Sequence, residues 1–306
     1  MKRYLNAAPQ SFIYKMIRKK NITLNNTKAL GSEILQEGDK IKLFLAEETI
    51  IKFVCEKQHI TNHKLTNHKP KISIAYEDEN ILIAIKPKGQ LSHPAHSHNT
   101  EKKSLIYDIL GYLQLQGELN QKFFTPALAN RLDRNTTGLV LCGKTLPALQ
   151  ALNNAVSGQN LQKYYVAVVC GQIKKSGTLT GYHTKDNEKN TVKITTDGAG
   201  DKIITKYEPI KVYEKFTYIK LQLVTGKPHQ LRAHMEFIGH PILGDPKYAN
   251  KKMNVWALKK FNLKSQLLHA QSIVFGNGIT GLEYLQGKVF TAPLPQEFKN
   301  ILGNFM

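Results

Sequence analysis

The chain is short of acid, cysteine and long apolar runs, and each shortage narrows what it can be. Its 306 residues hold 23 Asp and Glu against 43 Lys and Arg, a formal charge of +20. Such an excess attracts polyanions and speeds their association, which makes nucleic acid the expected class of partner. No apolar stretch approaches the roughly 20 residues needed to span a bilayer. The start, Met1-Lys2-Arg3-Tyr4-Leu5, lacks the apolar segment of a signal peptide. No basic amphipathic helix with exposed aromatics stands out, which argues against a membrane surface. Cytoplasm is the expected location. Cys55, Cys142 and Cys170 have no paired metal-ligand spacing and read as reduced thiols. No Walker-type or dinucleotide-type glycine loop follows a strand, so nucleotide-driven chemistry is not expected. Asp197-Gly198-Ala199-Gly200-Asp201 reads more simply as a hairpin turn.

What is present divides the chain at a polar stretch, 56–70, with little apolar periodicity, which reads as a linker. Residues 1–55 form a small basic region, and 71–306 one catalytic-sized domain. In the first region Ile13, Met16 and Ile17 make an i, i+3, i+4 stripe on a helix over 11–20, with Ser11 as its N-cap. Lys15, Arg18, Lys19 and Lys20 crowd beside that stripe, and strands are expected at 22–24 and 40–45. A small helix-plus-strand unit with a cationic helix face resembles the S4 RNA-binding domain, which implies RNA contact by Lys15, Arg18 and Lys19.

The larger region alternates strands and helices. Ile81 to Ile85, Leu139 to Leu141 and Tyr165 to Val169 read as buried strands. Phe216 to Leu223 alternates cleanly, as for a strand with one solvated face. Leu105, Ile106, Ile109, Leu110 and Leu113 mark a helix capped by Ser104; others start near Thr145 and Pro147 and run from Gln230 to Ile238. Many strands and few helices predict an α+β domain around a mixed, largely antiparallel sheet.

Chemistry concentrates in two segments. In Asn130-Arg131-Leu132-Asp133-Arg134-Asn135-Thr136-Thr137-Gly138 a carboxylate lies between two arginines ahead of a buried strand. Flanking cations favour its anionic form, and an ionised carboxylate serves as nucleophile or base. A structural ion pair is the plainer reading of that segment alone. The second segment, Thr225-Gly226-Lys227-Pro228-His229-Gln230-Leu231-Arg232, puts His229 and Arg232 on one side of a helix start, suited to a site wall or an anion seat. His229, His234 and His240 lack an acidic partner at metal spacing and read as hydrogen-bonding residues. His93, His96 and His98 read as surface histidines.

Four motifs in order resemble the RluA superfamily of RNA pseudouridine synthases, nearest its RluC-like branch that modifies large-subunit ribosomal RNA. They are Tyr76-Glu77-Asp78 with Lys86-Pro87-Lys88-Gly89; Arg131-Leu132-Asp133 with Thr136 to Leu139; Lys163-Tyr164-Tyr165 through Gly171; and Thr225 to Arg232 through Gly239-His240-Pro241-Ile242-Leu243-Gly244-Asp245. The resemblance implies that Asp133 is the essential aspartate, a nucleophile at ribose C1′ or a base in a glycal route. It implies that Arg131 enters the helix as the uridine is extruded and that Tyr165 stacks on the flipped base. It further implies that Arg232 pairs with Asp133 and that Leu231 walls the uracil. Flipping is needed because the glycosidic bond cannot be worked inside a stack. Asn130 stands where the family often has His, and Lys227 where Arg is frequent. Ribosomal RNA as partner, no cofactor, no metal and a monomer are expected. Transfer RNA as the target, or a catalytically silent assembly protein, are the other readings.

Overall fold

The apolar stripe of the first region becomes the buried face of α1 (Gln10–Arg18), where Ile13, Met16 and Ile17 pack with Leu5, Ala8, Ile22 and Ala29. Lys15, Arg18 and Lys19 lie exposed on its other side. Ser11 is not the cap: Pro9 occupies that position and Ser11 lies inside the helix. The fixed φ of proline presets the chain for the helix that follows it, and no side chain caps α1. Strands β1 (Ile22–Leu24), β2 (Thr27–Lys28) and β3 (Ile41–Leu43) make an antiparallel sheet in the order β2-β1-β3. Asn25 and Asn26, both at positive φ, form the two-residue turn between β1 and β2. Helix α2 (Glu47–Phe53) follows.

The computed structural model describes residues 1, 4–5, 8–36, 38–53, 70–94, 104–119, 124–186, 191–198 and 200–304. The chain divides into two units, Met1–Lys64 and Leu65–Met306. Nearly all of the expected linker, along with Cys55, His96 and His98, lies outside the described residues.

The second unit is α+β, built on one large sheet. Its strands are β4 (Ser73–Glu77), β5 (Ile81–Lys86), β6 (Ala127–Leu128), β7 (Thr137–Gly143), β8 (Leu161–Cys170), β9 (Gly177–Asp186), β10 (Thr191–Thr195), β11 (Asp201–Val212), β12 (Phe216–Leu223), β13 (Leu268–Phe275) and β14 (Val289–Thr291). The order is β10-β9-β11-β12-β8-β13-β7-β5-β4, with β14 on β13 and β6 on β7. Only β13 and β7 pair in parallel among these. The segment 197–201 is therefore not a hairpin turn. It carries the chain from β10 to β11, which pair with opposite edges of β9.

Period-two alternation splits the central strands between two faces. Leu82, Ala84, Val140, Cys142, Tyr165, Ala167 and Leu221 point to one, covered by α3 (Leu105–Leu115) and α5 (Gln230–Phe237). The other face is covered by α4 (Leu146–Ser157), α6 (Lys251–Phe261) and α7 (Gln296–Gly303). That covering corrects the reading of Phe216–Leu223. Its outward residues are half-buried rather than solvated, with Lys220 Nζ 4.6 Å from the centre of the Tyr164 ring.

Candidate active site

Asp133 sits in the turn that feeds β7, and bonds from several elements fix that turn. Its own carbonyl accepts the Thr136 N–H at 3.0 Å. The buried Ser92 hydroxyl clasps Leu132, donating to its carbonyl at 2.9 Å and accepting its N–H at 3.0 Å. Gln266 Nε2 donates to Thr136 Oγ1 at 3.3 Å. Asn130 ties the start of the loop to β7, its Oδ1 accepting the Leu141 N–H at 2.7 Å. A side-chain amide at this position thus serves the backbone.

Lys86, at the end of β5, is fully buried. It donates to the carbonyls of Pro87, Gln90 and Arg134 at 3.1, 2.8 and 3.0 Å. Burial pushes its pKa down to about 7, against the pull of Asp133. Three carbonyl acceptors match the three protons of the ammonium; the neutral amine would set its lone pair against one of them. We therefore assign the charged form, which pins the Asp133 loop to the loop after β5.

Neither arginine beside Asp133 in sequence pairs with it. Arg131 is exposed, and Arg134 donates from Nε to the Gly89 carbonyl at 3.1 Å. Adjacent side chains in a turn diverge, so sequence neighbours are poor ion partners. The cation that meets Asp133 is Arg232 on α5, with Nη1 2.7 Å from Oδ2. Its Nε and Nη2 hold Asp245 in a two-pronged bond at 2.6 and 2.9 Å. Arg232 is 4 % exposed and Asp245 0 %. Burial works against the guanidinium charge, but the bonds to Asp245 and Asp133 outweigh it and raise the pKa. Asp245 is itself seated by the backbone N–H groups of Lys247 and Tyr248. A guanidinium fixed from behind by a buried carboxylate offers Asp133 a preorganised donor.

His229 precedes α5 with φ +54, a left-handed conformation that non-glycine residues seldom hold. Its Nε2 lies 3.8 Å from Asp133 Oδ2, and its Nδ1 is 3.1 Å from the Tyr248 hydroxyl. That hydroxyl also accepts the Val192 N–H at 2.9 Å. A neutral ring carries one hydrogen, on Nδ1 towards Tyr248 or on Nε2 towards Asp133. Burial lowers the His229 pKa, favouring that neutral form, while Asp133 opposes it. Gln230, almost fully buried, secures the turn ahead of the helix through Thr225, Lys227, Ile204 and Thr205.

Tyr165 reaches the same region from β8. Burial raises its phenol pKa, and the charge of Asp133 adds to that. The register sets Gly138, Ala270, Tyr165 and Leu221 in one row across β7, β13, β8 and β12. Gly138 has φ +115, and a Cβ there would lie 2.1 Å from the Ala270 carbonyl oxygen. Glycine is what lets the strand behind the Asp133 loop close onto β13. Leu231 is buried in the cluster that contains Leu132 and Tyr165. Asp133, Tyr165, Leu231 and Arg232 thus converge. Arg131 is exposed beside them, and Lys15, Arg18 and Lys19 belong to the first unit.

The three histidines of the second segment diverge: His229 to Tyr248, His234 Nδ1 to Thr205 Oγ1 at 2.8 Å, and His240 Nδ1 to the Cys170 carbonyl at 2.8 Å. Sequence reading assigned no role to Asp245, Tyr248, Lys86 or Gln230. Asp245 and Lys86 stood inside the quoted motifs, but their roles depend on pairings across the fold.

A family model described as RNA pseudouridylate synthase matches residues 80–237, the span holding Asp133, Tyr165 and Arg232. The ribosomal large subunit pseudouridine synthase C of Buchnera aphidicola subsp. Baizongia pistaciae is 30% identical, over 97% of this chain and 90% of that protein. The ribosomal large subunit pseudouridine synthase D of Borreliella burgdorferi is 29% identical, over 99% of this chain and 88% of that protein. Among solved structures, human RNA pseudouridylate synthase domain containing 4 matches with a TM-score of 0.59 at 22% identity. That match covers 80% of this chain and 95% of that one, and shows a shared fold.

Proposed function

The chain belongs to the RNA pseudouridine synthases of the RluA superfamily, and from that premise we propose that it isomerises uridines of large-subunit ribosomal RNA, with Asp133 acting on the ribose. The observation that carries the residue assignment is the bridge from Arg232 to a carboxylate that remains 29 % exposed in its side chain. One oxygen is held by a fixed guanidinium, and the group is still open to a substrate. Asp245, the guanidinium's other partner, is by contrast wholly covered.

In the proposed reaction the uridine leaves its stack and lies against Tyr165 and Leu231, with exposed Arg131 filling the space it vacates. The N1–C1′ bond breaks, the uracil turns, and C5 bonds to C1′; C5 loses a proton and N1 gains one. Atoms and electrons balance within the nucleotide, so the reading includes no cofactor and no metal. Ribosomal RNA is supported by the names of relatives that align over nearly the whole chain. The first unit we read as an S4-like RNA-binding module, supported by the exposed Lys15, Arg18 and Lys19 on α1. A monomer acting in the cytoplasm completes the reading; no helix among the described residues is long and apolar enough to cross a membrane.

The test is a pseudouridine map of all stable RNAs with and without the gene. Loss of defined sites in the large-subunit RNA is expected. Losses confined to transfer RNA would replace the proposed target while leaving the chemistry.

A further inference from the structure

Four cations are buried among the described residues: Lys86, Lys144, Lys163 and Arg232. Three are satisfied: Lys86 by three carbonyls, Lys144 by Glu77 and Glu118, and Arg232 by two carboxylates. Lys163 is 6 % exposed, and among the described residues its ammonium has neither an ion pair nor a hydrogen bond. Its neighbours in register are Leu223 on β12 and Ile273 on β13, both apolar. The side chain is largely covered while Nζ keeps a small contact with solvent, and a charge so placed without a partner is costly to keep. Burial accordingly lowers its pKa, with no carboxylate offsetting the shift.

The position is informative. Lys163 and Tyr165 are two apart on β8, so they leave the same face about 7 Å apart along the strand. Nζ ends beside Gly226, where a Cβ would sit 3.6 Å away, so at that point of the turn ahead of α5 there is backbone and no side chain. The free charge therefore stands beside the reacting atoms rather than on them. In RNA, the anion next to a base and its ribose is the backbone phosphate.

We propose that Lys163 anchors a backbone phosphate flanking the flipped uridine, completing its ion pair only when RNA is bound. The inference rests on the reading of Tyr165 as the surface against which that uridine lies. It gives an otherwise unpaired buried charge a partner of the right sign, and it fixes the register of the strand as the base turns in.

The test uses the full chain as wild type, Lys163→Met and Lys163→Arg. Each is titrated over a salt series with a large-subunit ribosomal RNA fragment that surrounds a mapped uridine. Synthetic copies carrying one neutral methylphosphonate at successive positions are titrated in parallel, and each protein is melted without RNA. Lys163→Met is expected to bind about tenfold more weakly, with a salt slope smaller by about 1, and to melt higher because an unpaired buried charge is gone. Lys163→Arg is expected to stay within a few-fold of wild type. One methylphosphonate should weaken wild type and cost Lys163→Met nothing further. Unchanged affinity and slope in Lys163→Met, or methylphosphonates that weaken both proteins equally at every position, would overturn the proposal. A wild type that shows the Lys163 signature yet forms no pseudouridine in the fragment supports the anchor and overturns the target uridine instead.

Discussion

At the scale of single residues, the site turns on one guanidinium shared between two carboxylates of unequal burial. Asp245 is wholly covered and fixes Arg232 through Nε and Nη2; Asp133 is partly open and receives an N–H from Nη1. Removing one partner of a buried pair strands the other charge, at about 3–5 kcal/mol. Asp245→Asn is therefore expected to lose stability of that order in urea unfolding and to lose activity as well, although it does not touch substrate. Wild-type stability in that variant would show Asp245 to be dispensable as a support. Two buried histidines set a second expectation. Burial depresses His234 and His269 to about 4 in the folded chain. Above pH 6.5 both are neutral whether folded or not, and they cost nothing. As pH falls from 6.5 towards 4, the unfolded chain takes up protons that the native state refuses. Stability should then fall by something on the order of 3 kcal/mol for each histidine. Denaturation midpoints at pH 7 and pH 4.5 measure this, and His269→Gln should flatten part of the difference.

The residue scale also marks where sequence reading stops. The carboxylate at 133 was conspicuous because of Arg131 and Arg134, yet its ion partner lies 99 positions away. The resemblance named Arg232; local charge could not. The roles of Asp245 and Lys86 were hidden for the same reason, since a buried ion's meaning lies in what it faces across the fold.

At the scale of elements, strands announced by apolar runs were legible: β5, β7 and β8 are where the runs placed them, and Thr145 caps α4 through the Ala148 N–H. Connections were less so. The 197–201 segment has turn composition, but β9 takes the place that would make it a hairpin. The outer face of β12 looked solvated because sequence alternation cannot show that Trp256 of α6 stacks on Phe216. The junction of β7 and β13 offers the sharpest test at this scale. Gly138→Ala places a methyl against the Ala270 carbonyl at a φ that alanine resists. It is expected to destabilise by more than about 3 kcal/mol, the range of clash and backbone strain together, and to displace the loop holding Asp133. A thermal melt within a degree or two of wild type would contradict that view of the junction. In the first unit, replacing Lys15, Arg18 and Lys19 by Ala on the exposed face of α1 should leave the fold intact. It should also lower the salt slope of RNA binding by about 2, from roughly 0.7 per phosphate contact on single strands. An unchanged slope would remove α1 from the RNA surface.

At the scale of the whole molecule, a chain of charge +20 joins a small basic unit to a sheet whose site holds a carboxylate, a fixed guanidinium and a buried phenol. Charge explains attraction to RNA in general; in the proposed reaction the site is what alters one nucleotide. The most direct measurement of the central claim is a single-turnover assay of pseudouridine formation. It uses transcribed large-subunit ribosomal RNA, with wild type and Asp133→Asn, each first shown by melting and RNA titration to be folded and to bind. The amide keeps the shape but loses the negative charge, so Asp133→Asn is expected to bind RNA and form no pseudouridine while wild type converts its uridines. Conversion by Asp133→Asn at a rate comparable to wild type would contradict the assignment of Asp133 as the residue that acts on the ribose.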